Sequence, residues 1–76
     1  MQNQFAEQMD LGNRYLLEQD YDAAILAFGK AIEIDTRQAE SYQKMAEAYV
    51  GLGDYENAIL TLEKGYEFTG EESLHE

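Results

Sequence analysis

Sixteen carboxylates in a chain of 76 residues are the side chains with the most chemistry to offer, and metal binding is the first chemistry to weigh. Glu72-x2-His75 has the Glu-x-x-His spacing that sends two ligands to one side of a helix. A carboxylate-bridged di-iron bundle needs two such motifs and two more inward-facing glutamates. This chain has one histidine, so the ligand set stops short, and neither a metal nor another cofactor is expected. Nucleophilic catalysis fares no better. Ser41, Ser73, Thr36, Thr61 and Thr69 have no histidine partner at a useful position. With no cysteine there is no thiolate nucleophile, thiolate metal site or disulfide. Gly51-Leu52-Gly53 ends a helical pattern, whereas a phosphate-binding loop opens a helix after a strand. Without an acid–base constellation the expectation is a protein that is not an enzyme.

Most of the carboxylates recur on outer helical faces, where they solvate the surface and raise the net charge to −11. A charge of that size repels nucleic-acid backbones and anionic membranes, so neither is an expected partner. Its functional reading is a preference for basic or amphipathic protein segments. No apolar run approaches the roughly 18 residues of a membrane span. The start, Met1-Gln2-Asn3-Gln4, lacks the basic segment and apolar stretch of a secretory signal, and a cytoplasmic module is the expectation.

The elements that carry these side chains are set by an internal repeat. Tyr15-x4-Asp20-Tyr21-x2-Ala24-Ile25-Leu26 returns as Tyr49-x4-Asp54-Tyr55-x2-Ala58-Ile59-Leu60, an offset of 34 residues. Lys30 and Glu33 return at the same offset as Lys64 and Glu67. A period of this length marks stacked units that cannot bury their apolar faces alone.

Apolar residues recurring every three to four positions predict four helices, over residues 4–18, 21–34, 39–51 and 55–68. Their apolar stripes are formed by Phe5, Met9 or Leu11, Tyr15 and Leu16 in the first, and by the inward-facing Ala24, Ile25, Phe28, Ala31 and Ile32 in the second. Tyr42, Met45, Ala46, Tyr49 and Val50 serve the third, and Ala58, Ile59, Leu62, Tyr66 and Phe68 the fourth. The short connections imply antiparallel hairpins. Asp20 and Asp54 stand where a carboxylate accepts the free amides of a first helical turn. Gly53 and Gly70 suit left-handed helix ends. Gln19, the counterpart of Gly53, would pay about 1 kcal/mol for the same geometry. Small residues paired by the period (Gly12 with Ala46, Ala24 with Ala58, Ala31 with Gly65) mark the close helix crossings.

With these residues the chain resembles the tetratricopeptide repeat family. Its first unit, residues 5–38, shows Leu11-Gly12-x2-Tyr15, Ala24-x3-Phe28 and Ala31. Its second, residues 39–72, shows Tyr42-x2-Met45-Ala46-x2-Tyr49, Ala58-x3-Leu62 and Gly65, leaving residues 1–4 as an extension and 73–76 as a tail. Thr36 and Gly70 replace the closing proline, Gln8 an aromatic residue, and Gly65 an alanine. The resemblance implies an all-α fold of two tandem helical hairpins stacked as a short right-handed superhelix. It also implies a scaffold for protein–protein interaction. Carried over by position, the peptide groove would use Met9, Asn13 and Leu16 from the first helix and Gln43, Glu47 and Val50 from the third. Some family members clamp a C-terminal carboxylate of heat-shock chaperones. Here Met9 stands where that clamp needs a lysine and Lys44 where it needs an asparagine, so the clamp is not expected.

A repeat array buries each end face under a neighbour or a polar cap. The fourth helix would then expose Ile59, Leu62 and Tyr66. An apolar strip of that kind marks an interface or a truncation, and a homodimer formed through it, by face-to-face packing or helix exchange, is expected of the isolated chain. Three classes of function stay open: a peptide- or protein-binding adaptor, a self-association module, and a segment of a longer or idealised array.

Overall fold

The computed structural model describes residues 3–70. Its four helices are α1 (Gln4–Leu17), α2 (Tyr21–Ile34), α3 (Ala39–Leu52) and α4 (Tyr55–Thr69). Each lies within one residue of its expected bounds, and α2 and α4 begin 34 residues apart. There is no strand among the described residues. The tail after Gly70, including Glu72 and His75, lies outside them. Of the expected N-terminal extension, Asn3 caps α1 and Gln4 is already helical.

Local chemistry sets the helix ends. The Asp20 side chain accepts from the Ala23 amide at a long 3.5 Å, and Asp54 accepts from the Asn57 amide at 3.3 Å and from Asn57 Nδ2 at 2.7 Å. Each carboxylate also opposes the positive end of its helix dipole. Gly53 and Gly70 take left-handed backbone angles, φ 79° and 66°. Gln19 does so as well, at φ 63°, where its Cβ crowds the backbone. The α2–α3 connection is tied by Asp35, which accepts from the Arg37 amide and from Gln38 Nε2, each at 3.1 Å. The Tyr42 hydroxyl donates to the Thr36 carbonyl at 3.0 Å.

The helices pair as α1–α2 and α3–α4, two hairpins, with α2 stacked on α3 and α1 touching α3 over a short stretch. The outcome is a slab 34 × 32 × 16 Å. At the α1–α2 crossing, a Cβ built on Gly12 would sit 2.5 Å from the Phe28 ring. At the α3–α4 crossing, one built on Gly65 would lie 2.7 Å from Tyr42 Cβ. Only glycine permits these approaches. Every period-paired small residue is buried. The core gathers Met9, Ala24, Phe28, Ala31 and Ala48, with Phe5, Tyr15, Leu16, Tyr21, Ile25 and Met45 packed around it.

The inward stripes need correction at their edges. Val50, Ile59, Leu62 and Phe68 are about half exposed, whereas Ser41, Ala48, Thr61 and Gly65 are buried. For Ser41 and Ala48 the reason is that α3 is packed on two sides, by α4 and by α2. Its buried arc is therefore wider than one amphipathic stripe.

Candidate interaction surfaces

The groove residues inferred from position divide into two groups. Met9 is 5% exposed and belongs to the core beside Phe28, so it supports α1 from beneath and offers almost no surface. Asn13 and Leu16 are partly exposed on α1, while Gln43, Glu47 and Val50 are exposed on α3. The helices that carry these two rows are in direct contact. Lys44 Nζ lies 3.9 Å from Glu47 Oε2, with both side chains open to water. A pair so exposed is weak, and the Glu47 carboxylate remains available to a cationic partner.

The surface after α4 repeats a buried one. Tyr55, Ile59 and Leu62 hold the repeat positions of Tyr21, Ile25 and Phe28, the residues with which α2 meets α3. Phe28 is fully buried there, whereas Ile59 is 57% and Leu62 41% exposed. Tyr66, the third residue expected on this face, is half-buried.

The opposite end is built differently. α3 receives α2 at Ala48, which shares a cluster with Ala24, Phe28 and Ala31, and at Gly51, where the Tyr21 ring lies so close that no Cβ would fit; Ser41, near the start of α3, is fully buried. Glu7, Arg14 and Leu17 occupy these positions in α1 and all are exposed. Sequence reasoning missed this pattern. Its signal was legible as three small residues in one unit replaced by two charged and one bulky residue in the other.

A further surface lies across α3 from Gln43, Glu47 and Val50. Helical periodicity puts Tyr42, Met45 and Tyr49 roughly 140° around the helix from those three. These side chains floor a slot of about 530 Å³ between α2 and α4, walled by Gly29 and Ile32 on one side and Leu60 and Phe68 on the other. A smaller hollow of about 180 Å³, lined by Leu11, Tyr15 and Leu26, is its repeat counterpart against α1.

The hydroxyls considered as nucleophiles have structural partners. Ser41 donates to the Gln38 carbonyl and Thr61 to the Asn57 carbonyl, both at 2.7 Å, and Thr69 donates to the Gly65 carbonyl at 2.6 Å. Among the described residues, no three histidine, aspartate or glutamate side chains converge as a metal site would require. No described helix is long and apolar enough to cross a membrane.

Paired helices, a 34-residue period and glycine crossings define a helical-repeat protein. Comparison with known sequences agrees, with a TPR repeat model matching residues 12–53 and a tetratricopeptide repeat model residues 39–70. The chain belongs to the tetratricopeptide repeat family and is a protein–protein interaction module. It is 29% identical over 62 residues to tetratricopeptide repeat protein 16 of Mus musculus, covering 82% of this chain and 8% of that protein. It is 43% identical over 47 residues to the tetratricopeptide repeat and J domain-containing co-chaperone DNJ1 of Cryptococcus neoformans, covering 62% of this chain and 9% of that one. A third relative, small glutamine-rich tetratricopeptide repeat-containing protein 2 of Mycosarcoma maydis, is 38% identical over 55 residues, covering 71% and 16%. The chain thus spans less than a fifth of these relatives.

Proposed function

We propose that the chain, read as repeat units 5–38 and 39–72, binds a basic or amphipathic protein segment. The segment lies across α1 and α3, over Asn13, Leu16, Gln43, Glu47 and Val50. The observation that carries this reading is the mixture on α3, where Val50 is 48% exposed beside the exposed Glu47 and Gln43. An amphipathic helix would lay its apolar side on Val50 and Leu16 and bring a cation to Glu47. A net charge of −11 speeds the approach of such a segment. The relative named as a co-chaperone agrees with a polypeptide ligand. Titrating a lysine- and leucine-based amphipathic peptide into the protein by calorimetry tests the proposal. Glu47→Lys should weaken binding several-fold, and an unchanged affinity would contradict it.

A second reading, self-association, is favoured by the exposure of Ile59 and Leu62 at positions whose counterparts pack inside. Head-to-tail stacking in the internal register would drive Tyr55 of one copy onto Leu17 of the next, where Gly51 leaves no room even for a Cβ. A closed dimer with the α4 faces of two copies together avoids that collision, and two-fold packing ends growth at two chains. Sedimentation equilibrium should give a dimer that Leu62→Glu returns to monomer. A wild-type monomer at millimolar concentration would exclude it.

A further inference from the structure

Gly29 is a glycine in the interior of a helix, where it costs about 1 kcal/mol relative to alanine. The buried crossings explain Gly12 and Gly65, whose Cβ atoms would collide with Phe28 and Tyr42. They do not explain Gly29. A Cβ there would meet only the Met45 methyl, at an ordinary 3.8 Å. Its repeat counterpart in α4 is Glu63, so the repeat does not require a small residue at this position either. What Gly29 does is leave the α2 wall of the slot bare, so that an incoming group reaches the helix backbone. Ile32, Met45, Leu60 and Phe68 supply much of the slot's apolar lining, and Thr36, Asn57 and Thr61 add polar groups. Its α4 rim carries Glu63 and Glu67, one helical turn apart and both exposed, with Lys64 between them.

We infer that this slot is a second docking site, separate from the α1–α3 surface, and that it takes a single bulky aromatic side chain of a partner peptide flanked by lysine or arginine. The aromatic ring fills the space over Gly29 and Met45, and the flanking cation meets Glu63 and Glu67. A slot of about 530 Å³ has room for one such ring and its backbone approach. The charge of the rim and of the whole chain selects a basic flank over an acidic one.

The chain contains no tryptophan, so a tryptophan in the probe reports its own burial. The experiment titrates an acetylated, amidated pentapeptide, Lys-Lys-Trp-Lys-Lys, with the protein and follows the emission of the probe. A saturable blue shift is expected with wild type. Gly29→Leu fills the slot from its α2 wall and should weaken the response at least tenfold. The double charge reversal Glu63→Lys, Glu67→Lys, on exposed positions that leave the core alone, should do the same. The double reversal Glu7→Lys, Glu18→Lys, an equal change of charge at exposed positions outside both surfaces, should leave the affinity for this probe close to that of wild type. Methyl resonances of Met45, Ile32 and Leu60 should shift with the same midpoint. The inference is overturned if wild type gives no saturable shift. It is equally overturned if both slot variants bind as wild type does, or if the Glu7→Lys, Glu18→Lys reversal weakens the response as much as they do.

Discussion

Two glycine-to-alanine substitutions in the first hairpin should move stability in opposite directions. In Gly12→Ala the new methyl would stand 2.5, 2.6 and 2.8 Å from three Phe28 ring carbons. Carbon atoms rest about 3.5–4.0 Å apart, so ring or helix must yield by roughly 1 Å. Phe28 is fully enclosed, with core residues around it. Overpacking of this kind costs about 1–3 kcal/mol, and better helix propensity returns about 1 kcal/mol. The difference is a loss of about 0–2 kcal/mol, and the complete burial of Phe28 puts it in the upper half of that range, at roughly 4–8 °C of Tm per kcal/mol for a domain this small. Gly29→Ala meets only the Met45 methyl at 3.8 Å, keeps the propensity gain, and should stabilise by about 0.5–1 kcal/mol. Urea unfolding followed by far-UV circular dichroism reads both, with an unchanged m-value showing that stability alone has moved. If Gly12→Ala is as stable as wild type, or if both variants shift the same way, the close-crossing account is wrong.

Other consequences concern the turns and their titration. Gln19→Gly should stabilise by about 0.5–1 kcal/mol by relieving the left-handed strain, and urea unfolding would show it as a higher midpoint. Tyr42→Phe removes the hydroxyl that donates to the Thr36 carbonyl and should cost about 0.5–1.5 kcal/mol, read in the same assay. Burial pushes the Tyr42 phenol above its ordinary pKa of 10.0. Its contribution to stability is therefore complete below that value and fades as pH rises through the higher folded-state pKa. Unfolding at alkaline pH should show this loss, reduced in Tyr42→Phe. Asp35 is held below the ordinary carboxylate range, first by the Gln38 side-chain hydrogen bond and then by the Arg37 amide. Its contribution is present above the ordinary pKa and lost as pH falls through the depressed one. A carbon-detected NMR titration should put its midpoint below the ordinary aspartate value.

The helices, their ends and their pairing were legible because each rests on local chemistry written twice. Asp20 and Asp54 cap at matching positions, and Gly53 foretold the backbone geometry that its counterpart Gln19 shares. Contacts between units were harder to read. Ser41 and Ala48 look unremarkable in an amphipathic pattern, yet both are fully buried, Ala48 in the cluster that holds Ala24, Phe28 and Ala31 of α2. Met9 satisfied the core pattern and the groove position at once, and packing around Phe28 assigned it to the core. The slot beside Gly29 has no sequence period of its own. It depends on the spacing between α2 and α4, which no local pattern states. The exposure of Ile59 and Leu62, by contrast, followed from counting which apolar faces the two hairpins leave unmatched.

The proposed function requires α1 and α3 to present a peptide-binding surface through their exposed side chains. Amide chemical-shift mapping of the labelled protein, titrated with the lysine- and leucine-based amphipathic peptide, tests it most directly. The account predicts saturable shifts centred on Asn13, Leu16, Gln43, Glu47 and Val50, with Met9 following as the residue beneath. Shifts confined to α4, or none at millimolar peptide, would contradict it.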